Sequence, residues 1–208
     1  MTSTLAGLYL VTPDWNDTEQ LLATSELALQ GGVALLQYRH KSASAELRHT
    51  QASALLALCH RYQCPFIIND HVDLCLALDA DGIHVGGLDA SVADVRARLG
   101  ADKIVGASCY GDIALAHSAH QQGASYIAFG GFYPSRIKKY PVTTSFDIVS
   151  QARREIALPS VVIGGMTLDN CLPLVAAGAD MVAAISSVYF APDPRAAAEA
   201  FTKLFPEV

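Results

Sequence analysis

The sequence contains a row of three polar side chains, Gln37, Arg39 and Lys41, at the end of the apolar stretch LLQYRHK. In an extended chain, their spacing of two places all three on one side, roughly 6.5 Å apart. An amide, a guanidinium and an ammonium in a row are suited to bind an anionic group such as a phosphate. Taken alone, the same pattern also suits an edge strand that charge protects from aggregation. The choice between the two depends on the neighbouring elements.

Two aspartates, Asp70 and Asp89, follow the next two apolar stretches along the chain. If these stretches are adjacent parallel strands, the carboxylates face each other, and they repel unless a cation or proton lies between them. Mg²⁺ binds proteins through one or two carboxylates together with substrate phosphates, so the pair predicts a magnesium site beside the cations. The alternative is that each aspartate caps the helix that follows it, a role that does not exclude coordination.

A repeated pattern of apolar stretches and amphipathic segments must position these residues. The eight stretches are continuously apolar, as in strands whose two faces are both buried. The predicted strands are Gly7–Thr12, Val33–Arg39, Pro65–Asp70, Gly82–Gly86, Lys103–Ser108, Tyr126–Gly131, Ser160–Gly165 and Met181–Ser186. The predicted helices are Asp17–Gln30, Ala43–Tyr62, Val72–Leu78, Ser91–Leu99, Asp112–Gln122, Phe146–Glu155, Asp169–Ala177 and Ala196–Leu204, with a long loop at Phe132–Thr144.

Eight strand–helix units of about 25 residues predict an α/β fold, the (β/α)8 or TIM barrel, as a single catalytic domain over residues 1–208. The alternative is an open doubly wound sheet. That fold would need fewer units or a dinucleotide-binding G-x-G-x-x-G, and no such motif follows the first stretch.

Polar or glycine residues fall at seven consecutive predicted strand ends, where barrels of this kind carry their chemistry. They are Gln37, Arg39, Lys41, Asn69, Asp70, Asp89, Ser108, Ser135, Lys138, Gly164, Gly165, Ser186 and Ser187. The last two loops form a candidate phosphate site made of backbone N–H groups, although Gly164-Gly165 could also be only a tight turn. The layout fits two phosphorylated substrates, one of which loses pyrophosphate with the help of Mg²⁺.

Composition narrows the class of protein further. Hydrophobic residues make up 51% of the 208 residues, charged residues 16%, and the net charge is −6 without any basic run, so we expect no nucleic-acid partner. The N-terminal stretch lacks a basic region and no apolar run reaches membrane-spanning length, so we expect neither a signal peptide nor membrane association. Five cysteines without a C-x-x-C pair are typical of reduced thiols in a cytoplasmic protein. The oligomeric state stays open, a homo-oligomer included.

Taken together, these motifs resemble the thiamine phosphate synthase family. The matching segments run through the chain in order: QYRHK at Gln37–Lys41, IINDHVDLCLALDADGIHVG at Ile67–Gly86, Asp89, GAS at Gly106–Ser108, GASYIAFGGFYPS at Gly123–Ser135, Lys138, IGGM at Ile163–Met166 and ISS at Ile185–Ser187. Each motif is weak alone, but the combination and its order are specific.

The resemblance implies a reaction and a role for each matching residue. The expected enzyme joins hydroxymethylpyrimidine diphosphate to hydroxyethylthiazole phosphate, with pyrophosphate leaving first and a pyrimidine methylene cation then attacked by the thiazole nitrogen. Asp70 and Asp89 would hold Mg²⁺. Arg39, Lys41 and Lys138 would hold the pyrophosphate, Gln37, Asn69 and Ser108 the pyrimidine, and Gly165, Ile185 and Ser186 the thiazole phosphate. Ser135 would also contact substrate, and Ser108, Lys138 and Arg39 would form the catalytic group.

The chain departs from the family pattern at two places. Gly87-Leu88 stands where the family often has a polar pair. Ile137 replaces a residue with a hydroxyl group, which puts in doubt the hydrogen bond of that position to the thiazole or pyrophosphate side.

Two other functions are alternatives to the synthase. One is that of a thiazole tautomerase-like isomerase, which would have a histidine where this chain has Tyr110. The other is a non-catalytic thiamine-phosphate-binding barrel. Such a protein would be expected to lack one of the metal-binding carboxylates or one of the pyrophosphate-binding lysines.

Overall fold

The computed structural model describes residues 5–86, 91–134 and 143–205, and eight strands form its centre. The strands are β1 (Gly7–Val11), β2 (Leu35–Tyr38), β3 (Phe66–Asn69), β4 (Gly82–Val85), β5 (Ile104–Tyr110), β6 (Tyr126–Gly130), β7 (Ser160–Ile163) and β8 (Met181–Ala184). The helices are α1 (Thr18–Gln30), α2 (Ala45–Arg61), α3 (Val72–Leu78), α4 (Val92–Leu99), α5 (Ile113–Gln121), α6 (Asp147–Glu155), α7 (Leu168–Ala176), α8 (Ser186–Tyr189) and α9 (Pro194–Thr202).

The strands pair in chain order, all parallel, and β8 pairs with β1, so the sheet is a closed barrel. The predicted (β/α)8 barrel is therefore confirmed, and the alternative of an open doubly wound sheet is wrong. Since β2 pairs with β1 on one side and with β3 on the other, LLQYRHK is not an edge strand. Its charged residues need an explanation other than protection from aggregation.

The strands separate two apolar layers. Inside the barrel, side chains from alternate strand positions pack together; the buried members are Tyr9, Val11, Leu35, Ile67, Tyr126, Ala128, Val161, Met181 and Ala183. The intervening positions face outward and pack against the helices, as Leu8 and Leu10 do in β1. This alternation is how a barrel fills its interior while it buries one face of every helix. All five cysteines are buried and free, as the sequence predicts.

Short polar residues begin several of the helices. The side chains of Asp17, Ser44, Ser91, Asp112 and Asp193 each accept a hydrogen bond from a backbone N–H in the first turn of the helix that follows. A side-chain oxygen at this position satisfies an N–H group that has no partner within the helix. The caps explain why helix starts could be read from the sequence to within a few residues.

Seven of the eight strands end one or two residues earlier than predicted, and β5 ends two residues later, at Tyr110. At β3 and β7 the backbone turns where polar or glycine residues begin. Asp70 adopts a left-handed conformation (φ 61°), which ends β3 at Asn69. Gly164 and Gly165 also have positive φ, which ends β7 at Ile163. In β8 the strand stops at Ala184, and the predicted strand end Ser186 instead begins the short helix α8.

Within the described ranges, none of the helices has the length and apolar character needed to cross a membrane.

Candidate active site

The C-terminal mouth of the barrel contains a pocket that collects most of the predicted site. Gln37, Arg39, Lys41, Asn69, Asp70, Ser108 and Ile185 all line it, together with Tyr9, Val11, His84, Gly86, Tyr110, Ala128, Val161 and Ile163. These residues come from strands on all sides of the barrel, and they meet because parallel strands bring their carboxyl ends to one edge. We refer to it below as the central pocket.

Arg39 is the main cation of the central pocket. Its side chain is only 5% exposed, and Nη1 lies 3.6 Å from Oδ1 of Asp14, outside hydrogen-bond distance. Among the described residues, that nitrogen has no hydrogen-bond acceptor. Asp14 also accepts the backbone N–H of Lys41 at 3.0 Å, so it organises the loop that carries both cations. A buried guanidinium with an unused donor is costly unless a ligand such as an anion completes it.

Asp70 lies at the rim of the same pocket in a turn that presents its carboxylate. Asn69 Nδ2 donates to Asp70 Oδ2 at 2.6 Å, and the Asp70 side chain is exposed. Asp70 does not cap α3, because the capping position belongs to His71, whose side chain makes no capping bond. The capping alternative for Asp70 is therefore wrong.

The residues present at this rim fit a magnesium ion. Asp70 has one carboxylate oxygen without a hydrogen-bond partner among the described residues, in a pocket that the buried Arg39 also lines. Oxygen ligands of this kind, together with phosphate groups, are what Mg²⁺ prefers. Within the described ranges, His, Cys, Asp and Glu residues form no cluster of three or more that could hold a metal ion. Mg²⁺ takes few protein ligands and completes its shell with substrate and water, so a single carboxylate from the described residues is compatible with it.

A chain of hydrogen bonds crosses the floor of the central pocket. Gln37 Nε2 donates to the Tyr9 hydroxyl at 2.6 Å, and the Tyr9 hydroxyl lies 2.6 Å from that of Tyr126. The Tyr126 hydroxyl lies 2.9 Å from His84 Nδ1, and His84 Nε2 lies 2.9 Å from Ser108 Oγ. Burial raises the pKa of Tyr9 and of Tyr126 above the ordinary range, so both hydroxyls stay protonated. Both ring nitrogens of His84, which lies in β4, are thus hydrogen-bonded to side chains of neighbouring strands.

A second pocket, of about 740 Å³, lies at the ends of β7 and β8. It is lined by Pro13, Asp14, Trp15, Pro134, Gly165, Met166, Thr167, Ser186, Ser187 and Phe190. Gly165 has φ 64°, and a Cβ there would lie 2.4 Å from the carbonyl oxygen of Pro134, so only glycine fits. Since Asp14 lines this pocket and also faces Arg39, the two pockets adjoin.

A third pocket, of about 220 Å³, extends the cationic side of the mouth. It shares Lys41, Asn69 and Asp70 with the central pocket and adds Tyr38, His40, Arg48 and His71. Arg48 Nη2 donates to the carbonyl of Ala43 at 2.9 Å, while its buried Nε has no acceptor among the described residues. The positive side of the mouth is therefore wider than the row Gln37, Arg39 and Lys41 predicts.

Three predicted site residues, Asp89, Ser135 and Lys138, lie outside the described residues, as do Gly87, Leu88 and Ile137. The capping position of α4, which the alternative interpretation gave to Asp89, is occupied by Ser91. Its side chain accepts a hydrogen bond from the backbone N–H of Asp94 at 3.1 Å.

Sequence reasoning missed the two tyrosines of the floor and Asp14. Tyr9 and Tyr126 sit within strands that read as wholly apolar, and their hydroxyls come together across 117 residues of chain. The available signal was that a buried tyrosine needs a partner for its hydroxyl. Nothing in the local sequence of Asp14 connects it to Arg39, which lies 3.6 Å away in the folded protein.

Fold and mouth together define a class, that of (β/α)8 enzymes that bind anionic small molecules at the C-terminal end of the barrel. The sequence profile described as "Thiamine monophosphate synthase" matches residues 8–188. The thiamine-phosphate synthase of Janthinobacterium sp. (strain Marseille) is 68% identical over 205 residues, 99% of each chain. That of Methylobacillus flagellatus is 50% identical over 202 residues, 97% of this chain and 96% of the relative. The chain therefore belongs to the thiamine monophosphate synthase family.

Solved structures agree with this assignment. A thiamine phosphate pyrophosphorylase from Pyrococcus furiosus superposes with a TM-score of 0.83 at 28% identity, over 97% of this chain and 96% of the other. A 3-hexulose-6-phosphate synthase superposes with a TM-score of 0.70 at 17% identity, over 96% of this chain and all of the other, and shows the fold alone. The relatives give the activity as that of a thiamine-phosphate synthase, a transferase of thiamine biosynthesis.

Proposed function

We propose that the mouth transfers the hydroxymethylpyrimidine group from its diphosphate to hydroxyethylthiazole phosphate, forming thiamine phosphate and pyrophosphate. The observation that carries the proposal is the buried Arg39 guanidinium, which lines the central pocket and has one donor without an acceptor among the described residues. The central pocket adjoins the second pocket at Gly165 and Ser186. Two anion-binding regions side by side suit two phosphorylated substrates better than one.

In this arrangement, the pyrimidine ring lies over the floor of the central pocket. Gln37 and Ser108 are at the two ends of the hydrogen-bond chain and can pair with its polar edge, and Asn69 lines the same wall. The apolar side chains of the interior cluster support the ring from below and exclude water from it.

The diphosphate of the first substrate lies against the cations. Arg39 and Lys41, with Lys138 from the loop after β6, neutralise the charge that develops as the carbon–oxygen bond breaks. The bonding electrons leave with pyrophosphate, and the lone pair of the thiazole nitrogen then forms the new carbon–nitrogen bond. Arg48, in the third pocket, adds positive potential on the cationic side of the mouth. Arg39 and Lys138 act on the leaving group, and Ser108 holds the ring that becomes cationic.

Asp70 and Asp89 would hold a magnesium ion. When bound, it would neutralise part of the diphosphate charge and so make pyrophosphate a better leaving group. Asp70 suits this role because its carboxylate is exposed at the rim and a hydrogen bond from Asn69 fixes one of its oxygens.

The thiazole phosphate would lie in the second pocket. Gly165 allows the backbone to approach a ligand closely, and Ile185 and Ser186 follow the end of β8 at the same edge. Ser135 would contact substrate from the loop after β6. The five buried, free thiols support a cytoplasmic location, and we expect no nucleic-acid or membrane partner.

The test is a reconstituted reaction with purified protein, Mg²⁺ and both phosphorylated substrates. We expect thiamine phosphate and pyrophosphate to form in equal amounts, and a chelator to stop the reaction until Mg²⁺ is restored. Folded protein that yields no thiamine phosphate under these conditions would refute the proposal. Turnover that persists in excess chelator would refute the assignment of Asp70 and Asp89 as a metal site.

A further inference from the structure

Tyr110, at the end of β5, occupies a turn position that favours glycine. The turn closes where the backbone N–H of Asp112 donates to the carbonyl of Cys109 at 2.9 Å, so Tyr110 is its second residue. The φ angle of Tyr110 is 52°, in the left-handed region. Turns with positive φ at the second residue are dominated by glycine, asparagine and aspartate, because a bulky side chain strains the backbone there. Strain of this kind is typical of functional sites, so the tyrosine needs an explanation.

A register shift in β5 accompanies the turn. Ser108 pairs with Ala128 of β6, whereas Tyr110, two residues later, pairs with Phe129, the next residue of β6. The extra residue in β5 is Cys109, whose buried side chain belongs to the outward-facing apolar layer. Irregularities of this kind beside active sites redirect a side chain. Here the redirected side chain is that of Tyr110, which lines the central pocket together with Ser108.

Tyr110 lies at the rim of the central pocket and not on its floor. It is 39% exposed, whereas Tyr9 of the floor is 1% exposed. In the closed ring of eight strands, β5 is four strands away from β1, so Tyr110 lies across the barrel from the loop after β1. That loop and the ends of β7 and β8 form the second pocket, through Trp15, Gly165 and Ser186. Tyr110 therefore borders the mouth on the side away from the proposed thiazole phosphate site.

The proposed reaction requires protection from water on that side. Once pyrophosphate has left, either the thiazole nitrogen or a water molecule can capture the pyrimidine methylene cation. Capture by water forms a carbon–oxygen bond from a water lone pair, releases one proton to solvent and gives hydroxymethylpyrimidine in place of thiamine phosphate. An active site that generates a reactive intermediate avoids such a loss by excluding water. The thiazole approaches from the second pocket, so another group must cover the opposite side of the cation.

We infer that Tyr110 determines which nucleophile captures the cation, because its ring excludes water from the side of the central pocket that the thiazole does not cover. An aromatic ring supplies a large apolar surface with few rotatable bonds. A small side chain at the same position leaves water a path to the methylene carbon. The inference rests on the proposed function, since it assumes that pyrophosphate leaves before the thiazole nitrogen attacks.

The experiment measures how the protein divides the first substrate between two products. Purified protein receives Mg²⁺, hydroxymethylpyrimidine diphosphate and saturating hydroxyethylthiazole phosphate in water enriched in the heavy oxygen isotope. Pyrophosphate, thiamine phosphate and hydroxymethylpyrimidine are quantified, and mass spectrometry gives the isotope in hydroxymethylpyrimidine. Capture of the cation by water places a solvent oxygen on the methylene carbon. Hydrolysis at phosphorus keeps the oxygen of the substrate, so the isotope distinguishes the two routes.

Three variants separate the ring from its hydroxyl and from its position. Tyr110→Asn removes the ring and introduces a residue that tolerates positive φ. Tyr110→Phe keeps the ring and removes the hydroxyl. Leu115→Asn is the matched control, because Leu115 is 38% exposed on α5, shortly after the same turn, and is not among the described residues that line the central pocket.

In Tyr110→Asn we expect the ratio of solvent-labelled hydroxymethylpyrimidine to thiamine phosphate to rise at least about tenfold, which corresponds to about 1.4 kcal/mol between the two capture barriers. In Tyr110→Phe and Leu115→Asn the ratio stays within about twofold of that of the unaltered protein, because the ring is present in both. A structural role alone lowers the rate of both products and leaves their ratio unchanged.

Three results would overturn the inference: an unchanged ratio in Tyr110→Asn, an equal rise in Tyr110→Phe, or an equal rise in Leu115→Asn. If Tyr110→Asn does not fold, Tyr110→Gly takes its place, since glycine also permits the turn. Failure of the proposed function is a different outcome. In that case the unaltered protein itself forms no thiamine phosphate from the two substrates.

Discussion

At the scale of single residues, Asp70 is the carboxylate whose role is most open to measurement. It is exposed, it does not cap a helix, and its backbone is held at φ 61° by the turn at the end of β3. Asparagine tolerates this left-handed conformation and can still accept the hydrogen bond from Asn69. Asp70→Asn therefore removes the charge while it preserves the turn.

We predict that Asp70→Asn lowers kcat at least about 100-fold, a loss of about 2.7 kcal/mol of transition-state stabilisation, and raises the Mg²⁺ concentration needed for half-maximal rate. The melting temperature should stay within about 2 °C. Asp73→Asn is the matched control, since Asp73 is an exposed aspartate on the following helix that pairs with Arg98 at 2.6 Å. Near-normal turnover in Asp70→Asn would contradict the metal assignment.

The position of the polar row could be predicted from residue types, but its surroundings could not. The spacing of two indicated that Gln37, Arg39 and Lys41 share a side, and all three line the central pocket. Asp14 could not be connected to Arg39 from the sequence, because 25 residues separate them and only the pairing of β1 with β2 brings the loops together. For the same reason, the widening of the cationic side by Arg48 was not foreseen.

At the scale of secondary-structure elements, β5 depends on a glycine that the floor of the pocket requires. Gly106→Ala would place a Cβ 1.9 Å from the Tyr126 ring. The ring lies in a closed barrel and cannot move away without displacing its hydrogen-bond partners. We predict a loss of about 1–3 kcal/mol in the free energy of unfolding, as expected for overpacking of a filled core.

Chemical denaturation measures this loss, and Gly130→Ala in β6 is the control. At Gly130 an added Cβ would meet Ile163 Cγ2 at 3.4 Å, an ordinary contact, so we expect a change below about 0.5 kcal/mol. Equal stability of Gly106→Ala and the unaltered protein would show that Tyr126 is not held where we place it.

Elements were predicted well where the physical signal is local and less well at their ends. Apolar stretches located all eight strands, and caps such as Asp17 and Ser44 located helix starts. The ends of β3 and β7 were placed too late, because positive φ angles at Asp70 and at the glycine pair depend on the turn rather than on hydrophobicity. The four-residue helix α8 was missed, since Ser186 was assigned to the end of the strand and four residues are too few to show a helical pattern.

At the scale of the whole molecule, burial of weakly acidic side chains ties stability to alkaline pH. Burial raises the pKa of Cys75 from 9.0 to about 11 and that of Cys109 from 9.0 to about 12. It also raises the pKa of Tyr9, Tyr126 and Tyr189 above the ordinary 10.0. A group whose pKa is higher in the folded protein stabilises it fully below the unfolded pKa, and this stabilisation is lost as the pH rises towards the folded value.

We therefore predict that the free energy of unfolding falls from about pH 9 upwards, at first through the thiols and above pH 10 through the tyrosines too. Each group contributes a slope of up to about 1.4 kcal/mol per pH unit. Urea denaturation between pH 7.5 and 10.5 measures the effect, and Tyr189→Phe should show a shallower decline above pH 10. A stability that rises over this range would contradict the buried, neutral state of these groups.

The barrel itself could be derived from the sequence, whereas the floor of its pocket could not. Eight apolar stretches with helical segments between them leave few alternatives to a closed barrel once the dinucleotide motif is absent. Tyr9 and Tyr126 meet only after all the intervening strands have closed, and their hydroxyls are invisible to a pattern that counts tyrosine as apolar. The parts that depend on closure are thus the parts that sequence reasoning lacked.

The central claim is that one mouth binds both halves of the product, and a crystal structure of the protein with thiamine phosphate, pyrophosphate and Mg²⁺ tests it most directly. We expect the pyrimidine edge on Gln37 and Ser108, pyrophosphate on Arg39 and Lys41, and the phosphate of thiamine phosphate beside Gly165. Product density elsewhere on the molecule, or pyrophosphate without contact to Arg39, would contradict the account.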